Sequence, residues 1–233
     1  IRDGSVTQPM LDVINKAGFK PVPNEDVIRL ATINATVDQV NMSHLAAIKS
    51  PSVVFTGSFS TGDQNSFGRT LPVEETLTLK VGAQVMFVKN DDSNTKRTKD
   101  GVMVRRWVNG TIGRVVEIPD SRHVRVRVDT EEFDVSPTSW EKVRYEVDEE
   151  FDENTGQTKE VVVPVTLAEY KQIPLRLAWA VTVHKSQGQT YDEVVIDMGR
   201  GAFAPGQTYV ALSRVRSLEG LYLSRPIAMS DVM

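Results

Sequence analysis

At 233 residues the chain is long enough to bury a substantial core, and with 40% hydrophobic and 25% charged residues it has a globular composition. It lacks cysteine, which excludes disulfides and thiolate metal sites, and its three histidines, His44, His123 and His184, are too dispersed for a histidine-rich metal site. The net charge of −4 argues against a surface coated in positive potential.

The chain opens Ile1-Arg2-Asp3-Gly4 and is read as a fragment of a longer polypeptide. No apolar run approaches the roughly 20 residues that cross a bilayer. With no signal peptide either, a cytoplasmic protein without a membrane partner is expected. Val27 to Thr32 predicts a strand, and Val37, Val40, Asn41, His44 and Leu45 follow at helical spacing, with Asn34 or Thr36 as the helix cap. This is a β-α piece of an α/β sheet.

From about 51 to 170 the period changes to two. Lys89 to Asp100 reads as a solvated polar loop, because its Asp91-Asp92-Ser93-Asn94 order does not fit a calcium loop. Val102 to Val108 runs into Asn109-Gly110 and out through Thr111 to Ile118, a two-residue hairpin signal, since Asn-Gly tolerates the positive φ angles of a type I′ turn. Val124, Val126 and Val128 alternate with Arg125 and Arg127, which predicts one buried face and one cationic face. A further hairpin is expected at Asn154-Thr155-Gly156. Strands this short and this frequent suggest a small β-barrel inserted into the α/β domain. Residues 89 to 128 carry ten Lys and Arg against five Asp and Glu, whereas 129 to 160 carry three against twelve. A nucleic-acid surface would therefore be localised, and solvated strand faces are the bland alternative.

From Leu175 the α/β pattern returns. Leu177-Ala178-Trp179-Ala180-Val181 predicts a strand, Thr182 an N-cap, and Gly188 the end of a single helical turn. Val194 to Met198 predicts a strand buried on both faces, Pro205 to Ser217 a helix, and Leu221 to Leu223 another strand. The turn and the helix's arginine then fall at the carboxyl ends of neighbouring parallel strands, where open α/β sheets keep ligands.

Those residues can hold phosphate. His184-Lys185-Ser186-Gln187 follows a helix N-terminus, where free N–H groups favour an anion, and Thr182, Ser186 and backbone amides can donate to a phosphodiester. Arg214, flanked by Ala211, Leu212 and Val215, suits the γ-phosphate of a nucleotide. A solvated turn and an arginine that only serves a helix C-terminus are the structural alternatives, the second being preferred for Arg216. No general base with an oriented partner is evident. No Gly-x-x-x-x-Gly-Lys-Ser/Thr loop occurs, so nothing here would cradle a β-phosphate or hold Mg²⁺ through a loop hydroxyl. Trp107, Trp140 and Trp179 fit packing better than base stacking.

Pro174 to Gly188, PLRLAWAVTVHKSQG, followed by Gly206 to Arg214, GQTYVALSR, closely resembles motifs V and VI of superfamily-one helicases of the PIF and RecD type. Leu79 to Asn90 and Val108 to Gly113 are similar to that family's barrel insertion, and Leu30 to Asn34 with Val37, Asp38 and Asn41 to the start of its second RecA-like domain. The resemblance implies a RecA-like parallel-sheet domain at 1–75 and 171–233, interrupted at 76–170 by a barrel of the Src-homology-three type. It implies the C-terminal half of an ATP-dependent DNA helicase of 5′→3′ polarity, acting as a monomer on single-stranded DNA and a duplex junction. The phosphate-binding loop and the Mg²⁺ site would lie in an N-terminal RecA-like domain of the same polypeptide, so this part alone would be inactive.

By position, the resemblance makes Arg214 the finger on ATP, puts Gly188 and Gln189 beside the nucleotide, and lines the DNA path with Thr182, His184, Lys185 and Ser186. Gln187 couples the two sites, and no metal ligand is implied. Gln189 stands where some relatives have an acidic residue. Two other readings compete: a non-enzymatic nucleic-acid-binding module built on the barrel, and a RecD-like subunit of a helicase–nuclease complex.

Overall fold

The computed structural model describes residues 6–68, 70–92, 96–97, 103–152, 157–202 and 204–232. Its first elements are α1 (Gln8–Gly18), β1 (Arg29–Ala31), α2 (Asn34–Ala47), β2 (Ser52–Thr56), β3 (Ser58–Thr61), α3 (Gln64–Phe67), β4 (Thr76–Lys80) and β5 (Gln84–Phe87). Next come β6 (Lys96–Arg97), β7 (Met103–Val104), β8 (Ile112–Glu117), β9 (Val124–Val128), β10 (Glu131–Val135), β11 (Thr138–Asp152) and β12 (Gln157–Gln172). The chain closes with β13 (Leu175–Leu177), β14 (Ala180–Thr182), β15 (Val194–Asp197), α4 (Gln207–Leu212), β16 (Leu221–Leu223) and a 3₁₀ turn at Met229–Asp231.

The expected α/β class is present as a parallel sheet in the order β14-β1-β15-β16. Leu30 stands level with Val181 on one side and Ile196 on the other, and all three are buried. Strands covered on both faces need such uninterrupted apolar side chains. Leu11 of α1 and Leu221 and Leu223 of β16 complete this core. Because β1 lies between them, β14 and β15 are second neighbours, not the adjacent pair expected from sequence. Helix α2 is capped at Ile33 without a side-chain bond, so neither Asn34 nor Thr36 serves as its cap.

A second core lies under an antiparallel sheet of five strands, β10-β9-β8-β5-β13. Phe87, Trp107, Val115, Val124, Val126 and Leu175 fill it, and Trp107 stacks on Phe87 at 4.5 Å between ring centroids. This burial decides the pairing around Asn109-Gly110. The turn exists, with Gly110 at φ 92°, but β8 pairs with β5 and not with the segment before the turn. Phe87 accepts from Gly110 N–H at 2.8 Å and donates its own N–H to Thr111 O at 2.9 Å. Trp107 is turned into the core, and among the described residues from 103 to 108 only Met103–Val104 is a strand, paired with Lys96–Arg97.

The expected strand Leu177 to Val181 is two strands. Leu175 to Leu177 pair with Phe87 to Val85, and after Ala178-Trp179 the chain enters the parallel sheet as β14. Trp179 is buried and stacked on His44 at 5.3 Å, which pins the crossing. Strands β11 and β12 form one long antiparallel ribbon; residues 154 to 156, expected as its turn, lie outside the described residues.

Charge inside this unit is matched locally. The cationic face of β9 is not free: Arg125 pairs with Glu117 and Asp134, and Arg127 with Glu132. Arg114 pairs with Asp26. Nor is Asp91 a solvated loop residue. Its side chain is 2% exposed and accepts from the backbone N–H, Nε and Nη2 of Arg106, each at 3.0 Å.

Candidate functional site

The stretch after β14 is a tight turn with two faces. Ser186 N–H donates to Thr182 O at 3.1 Å, Thr182 Oγ1 accepts from Lys185 N–H at 3.3 Å, and Gly188 ends the turn at φ 80°. Thr182 thus caps the turn and Gly188 terminates it, as the residue types require. The same winding separates the side chains. Thr182 is 7% and Ser186 0% exposed, and the Ser186 hydroxyl donates to Val183 O at 2.8 Å. His184, Lys185, Gln187 and Gly188 face solvent. Of the four residues expected to line a DNA strand, only His184 and Lys185 present side chains; Thr182 and Ser186 are spent on holding the turn.

Lys185 leans over a cavity of about 330 Å³ between α2 and the crossing into β14, lined also by Asp38, Asn41, Glu74 and Arg176. Partial burial, and then the nearby Arg176 guanidinium, hold the Lys185 ammonium below the usual lysine range. Burial does the same to Arg176, whose Nε has no partner among the described residues and whose Nη2 donates to Pro72 O at 3.4 Å. Glu74 acts the other way on both groups, so the two cations share this cavity with carboxylates as well as with each other.

The wall of that cavity depends on Asn41. Its side-chain amide donates to Ala180 O and accepts from Ala180 N–H, both at 2.9 Å, so a helix residue completes the free edge of β14. Sequence placed Asn41 on the helix face but gave no sign of this pairing.

Arg214 follows α4, which is only six residues long; Gly206 stands at its N-cap and Pro205 lies before it. The expected helix to Ser217 stops early because Tyr191 N–H takes the Arg214 carbonyl at 2.7 Å and Tyr191 bridges to Val215. The guanidinium is gripped by main chain. Nε donates to Val210 O at 3.0 Å, Nη1 to Gln189 O at 2.9 Å and Ser186 O at 3.5 Å, and Nη2 to Ser213 Oγ at 2.9 Å. Among the described residues no carboxylate pairs with Arg214, so its position is fixed while its charge is left for an external anion. Arg216 pairs with Asp192 at the surface.

The Gln189 carbonyl holds Arg214, and its side-chain amide donates to Asn109 O at 2.9 Å, in a turn of the five-stranded sheet's unit. The turn at 182–189 therefore exposes His184 and Lys185 on one side and holds the Arg214 guanidinium through Ser186 and Gln189 on the other. Among the described residues no group of three His, Cys, Asp or Glu side chains could cage a metal.

No protein-family model matches the chain. It is 34% identical over 226 residues to the ATP-dependent DNA helicase Pif1 of Bdellovibrio bacteriovorus, covering 96% of this chain and 45% of that protein. Among solved structures, unliganded Pif1 from Bacteroides matches 99% of this chain and 48% of that one, with a TM-score of 0.76 at 28% identity. Bacteroides Pif1 bound to single-stranded DNA matches 98% of this chain and 47% of that one, with a TM-score of 0.67 at 27% identity. The chain spans less than half the length of the curated relatives it matches.

Proposed function

Because the chain belongs to the Pif1 helicase family, we propose that it is the C-terminal motor half of an ATP-dependent DNA helicase of 5′→3′ polarity. In this reading the parallel-sheet unit is the second RecA-like domain, and the five-stranded sheet belongs to an inserted barrel of the Src-homology-three type. Arg214 reaches the γ-phosphate of an ATP held mainly by an N-terminal RecA-like domain of the same polypeptide. A positioned arginine there can accelerate phosphoryl transfer by about 10³ to 10⁵. His184 and Lys185 lie along the single-stranded DNA, near a duplex junction, and the whole protein works as a monomer.

One observation carries the reading: the guanidinium, which has no carboxylate partner among the described residues, is bonded to the backbone of the turn that exposes His184 and Lys185. Hydrolysis at one face of that turn can therefore shift the other, the coupling a translocating motor needs. Mg²⁺ would be held mainly by the part of the polypeptide that carries the phosphate-binding loop.

The test is Arg214→Ala in the full-length polypeptide. Hydrolysis of ATP is expected to fall at least about 10³-fold while affinity for single-stranded DNA stays within twofold. Retained hydrolysis would remove Arg214 from the reaction, and robust hydrolysis by residues 1–233 alone would overturn the division of labour.

A further inference from the structure

The bond between Gln189 and Asn109 joins the two units at the place where Arg214 is held. The Asn109-Gly110 turn is built rigidly into the antiparallel sheet: Gly110 and Thr111 exchange backbone bonds with Phe87, and Asn109 N–H donates to Asn90 Oδ1 at 2.8 Å. Across the gap, the Gln189 amide lies flat on Gly110, so close that a Cβ there would stand 1.8 Å from Gln189 Oε1. Beside this contact the two units face each other over a cleft of about 620 Å³, with Gly110, Thr111 and Asp129 on one wall and Tyr191, Asp192 and Arg216 on the other. Asp26, which also lines this cleft, pairs with Arg114.

We propose that Gln189 is a positioning residue that transmits the placement of the five-stranded sheet to Arg214. The proposal rests on the reading of Arg214 as the group that meets ATP. Its physical basis is that one residue is held at both ends. The Gln189 side chain is anchored to the sheet's turn, and its main-chain carbonyl anchors the guanidinium. Movement of the sheet across the cleft either breaks the amide bond or draws the Gln189 backbone with it, and the carbonyl that aims Arg214 moves too. Misplacing a reacting group by about 1 Å can cost about 10²-fold in rate, so a small displacement suffices. Gly110 is part of the device: its positive φ and its contact with the amide both exclude a side chain.

The experiment uses the full-length polypeptide and reads the ratio of ATP hydrolysis with and without single-stranded DNA. Gln189→Glu keeps length and backbone but cannot donate to Asn109 O; Gly110→Ala pushes the amide away. Each is expected to lower the stimulation ratio at least threefold, with DNA affinity within twofold of the parent. A role in packing alone would not move that ratio at constant affinity. Stimulation that stays within threefold of the parent in folded Gln189→Glu overturns the proposal, and this variant decides the matter where Gly110→Ala does not fold. Arg214→Ala run in parallel separates the two claims. If it still hydrolyses ATP, the finger reading fails; if it is inactive while Gln189→Glu keeps full stimulation, only the transmission fails.

Discussion

Arg214 donates from Nη1 to the Gln189 carbonyl at 2.9 Å and from Nε to the Val210 carbonyl at 3.0 Å, so its plane is set by the backbone of two different segments. A lysine at this position keeps the charge, but its single tetrahedral head cannot span both carbonyls as the planar fork does. Arg214→Lys is expected to hydrolyse ATP at no more than about a hundredth of the parental rate in the full-length polypeptide, because orientation as well as charge is lost. Steady-state hydrolysis with saturating DNA checks this. A lysine variant above half the parental rate would mean that charge suffices and the backbone grip is incidental.

Asn41 offers a test of the fold that carries the site. Its amide satisfies both backbone groups of Ala180 in a buried setting. Asn41→Ala leaves a donor and an acceptor without partners, each costing about 1–3 kcal/mol when buried. Destabilisation of about 2–4 kcal/mol is expected in denaturant unfolding of this chain. A loss under about 0.5 kcal/mol would show that water replaces the amide and that β14 does not depend on α2.

Much of this architecture can be read from residue patterns because it is local. Leu30, Val181 and Ile196 sit in short runs apolar on both faces, and Gly188 follows a polar turn that needs a positive φ. What escaped was decided by partners distant in sequence. Asn109-Gly110 has the chemistry of a hairpin turn, yet Phe87, more than 20 residues earlier, takes its backbone bonds. Ser186 and Lys185 are both polar, and only the winding after Thr182 buries one and exposes the other. Gln189 is bonded at both ends, through its amide to Asn109 and through its carbonyl to Arg214, a pairing that no local pattern announces. The arginines of β9 look like a nucleic-acid face until Glu117, Asp134 and Glu132 are placed beside them.

Tyr191 gives a prediction in pH. Its hydroxyl is buried without a partner among the described residues, and burial pushes its ionisation up to about 12, against a nearby Arg214 that acts the other way. An unfolded chain loses this proton near pH 10, so between about 10 and 12 the folded state binds more protons than the unfolded one, and stability falls as pH rises. Below pH 10 both states are protonated and the contribution is intact. Tyr191→Phe is expected to flatten the decline in unfolding free energy between pH 10 and 12, and at pH 7 to be neutral or slightly stabilising, because it removes an unsatisfied buried group. Urea titrations at pH 7, 10.5 and 11.5 measure both effects. A variant that loses stability as steeply as the parent would place the alkaline transition elsewhere.

The last prediction separates DNA contact at the turn from contact on the inserted sheet. Each cation that neutralises a DNA phosphate releases condensed counterions, and for single strands contributes about 0.7 to the slope of log affinity against log salt. Lys185 lines a cavity with Arg176. Arg125 and Arg127 face Glu117, Asp134 and Glu132, and would have to give up those carboxylates before meeting phosphate. Lys185→Ala in the full-length polypeptide should therefore weaken single-strand binding and reduce the slope by about 0.7, whereas Arg125→Ala with Arg127→Ala should leave the slope unchanged. Fluorescence anisotropy on a labelled oligonucleotide between about 50 and 200 mM salt resolves the difference. The opposite result, a slope that drops with the β9 arginines and ignores Lys185, would favour a nucleic-acid-binding module built on the sheet, with the ion pairs acting as a gate that DNA opens.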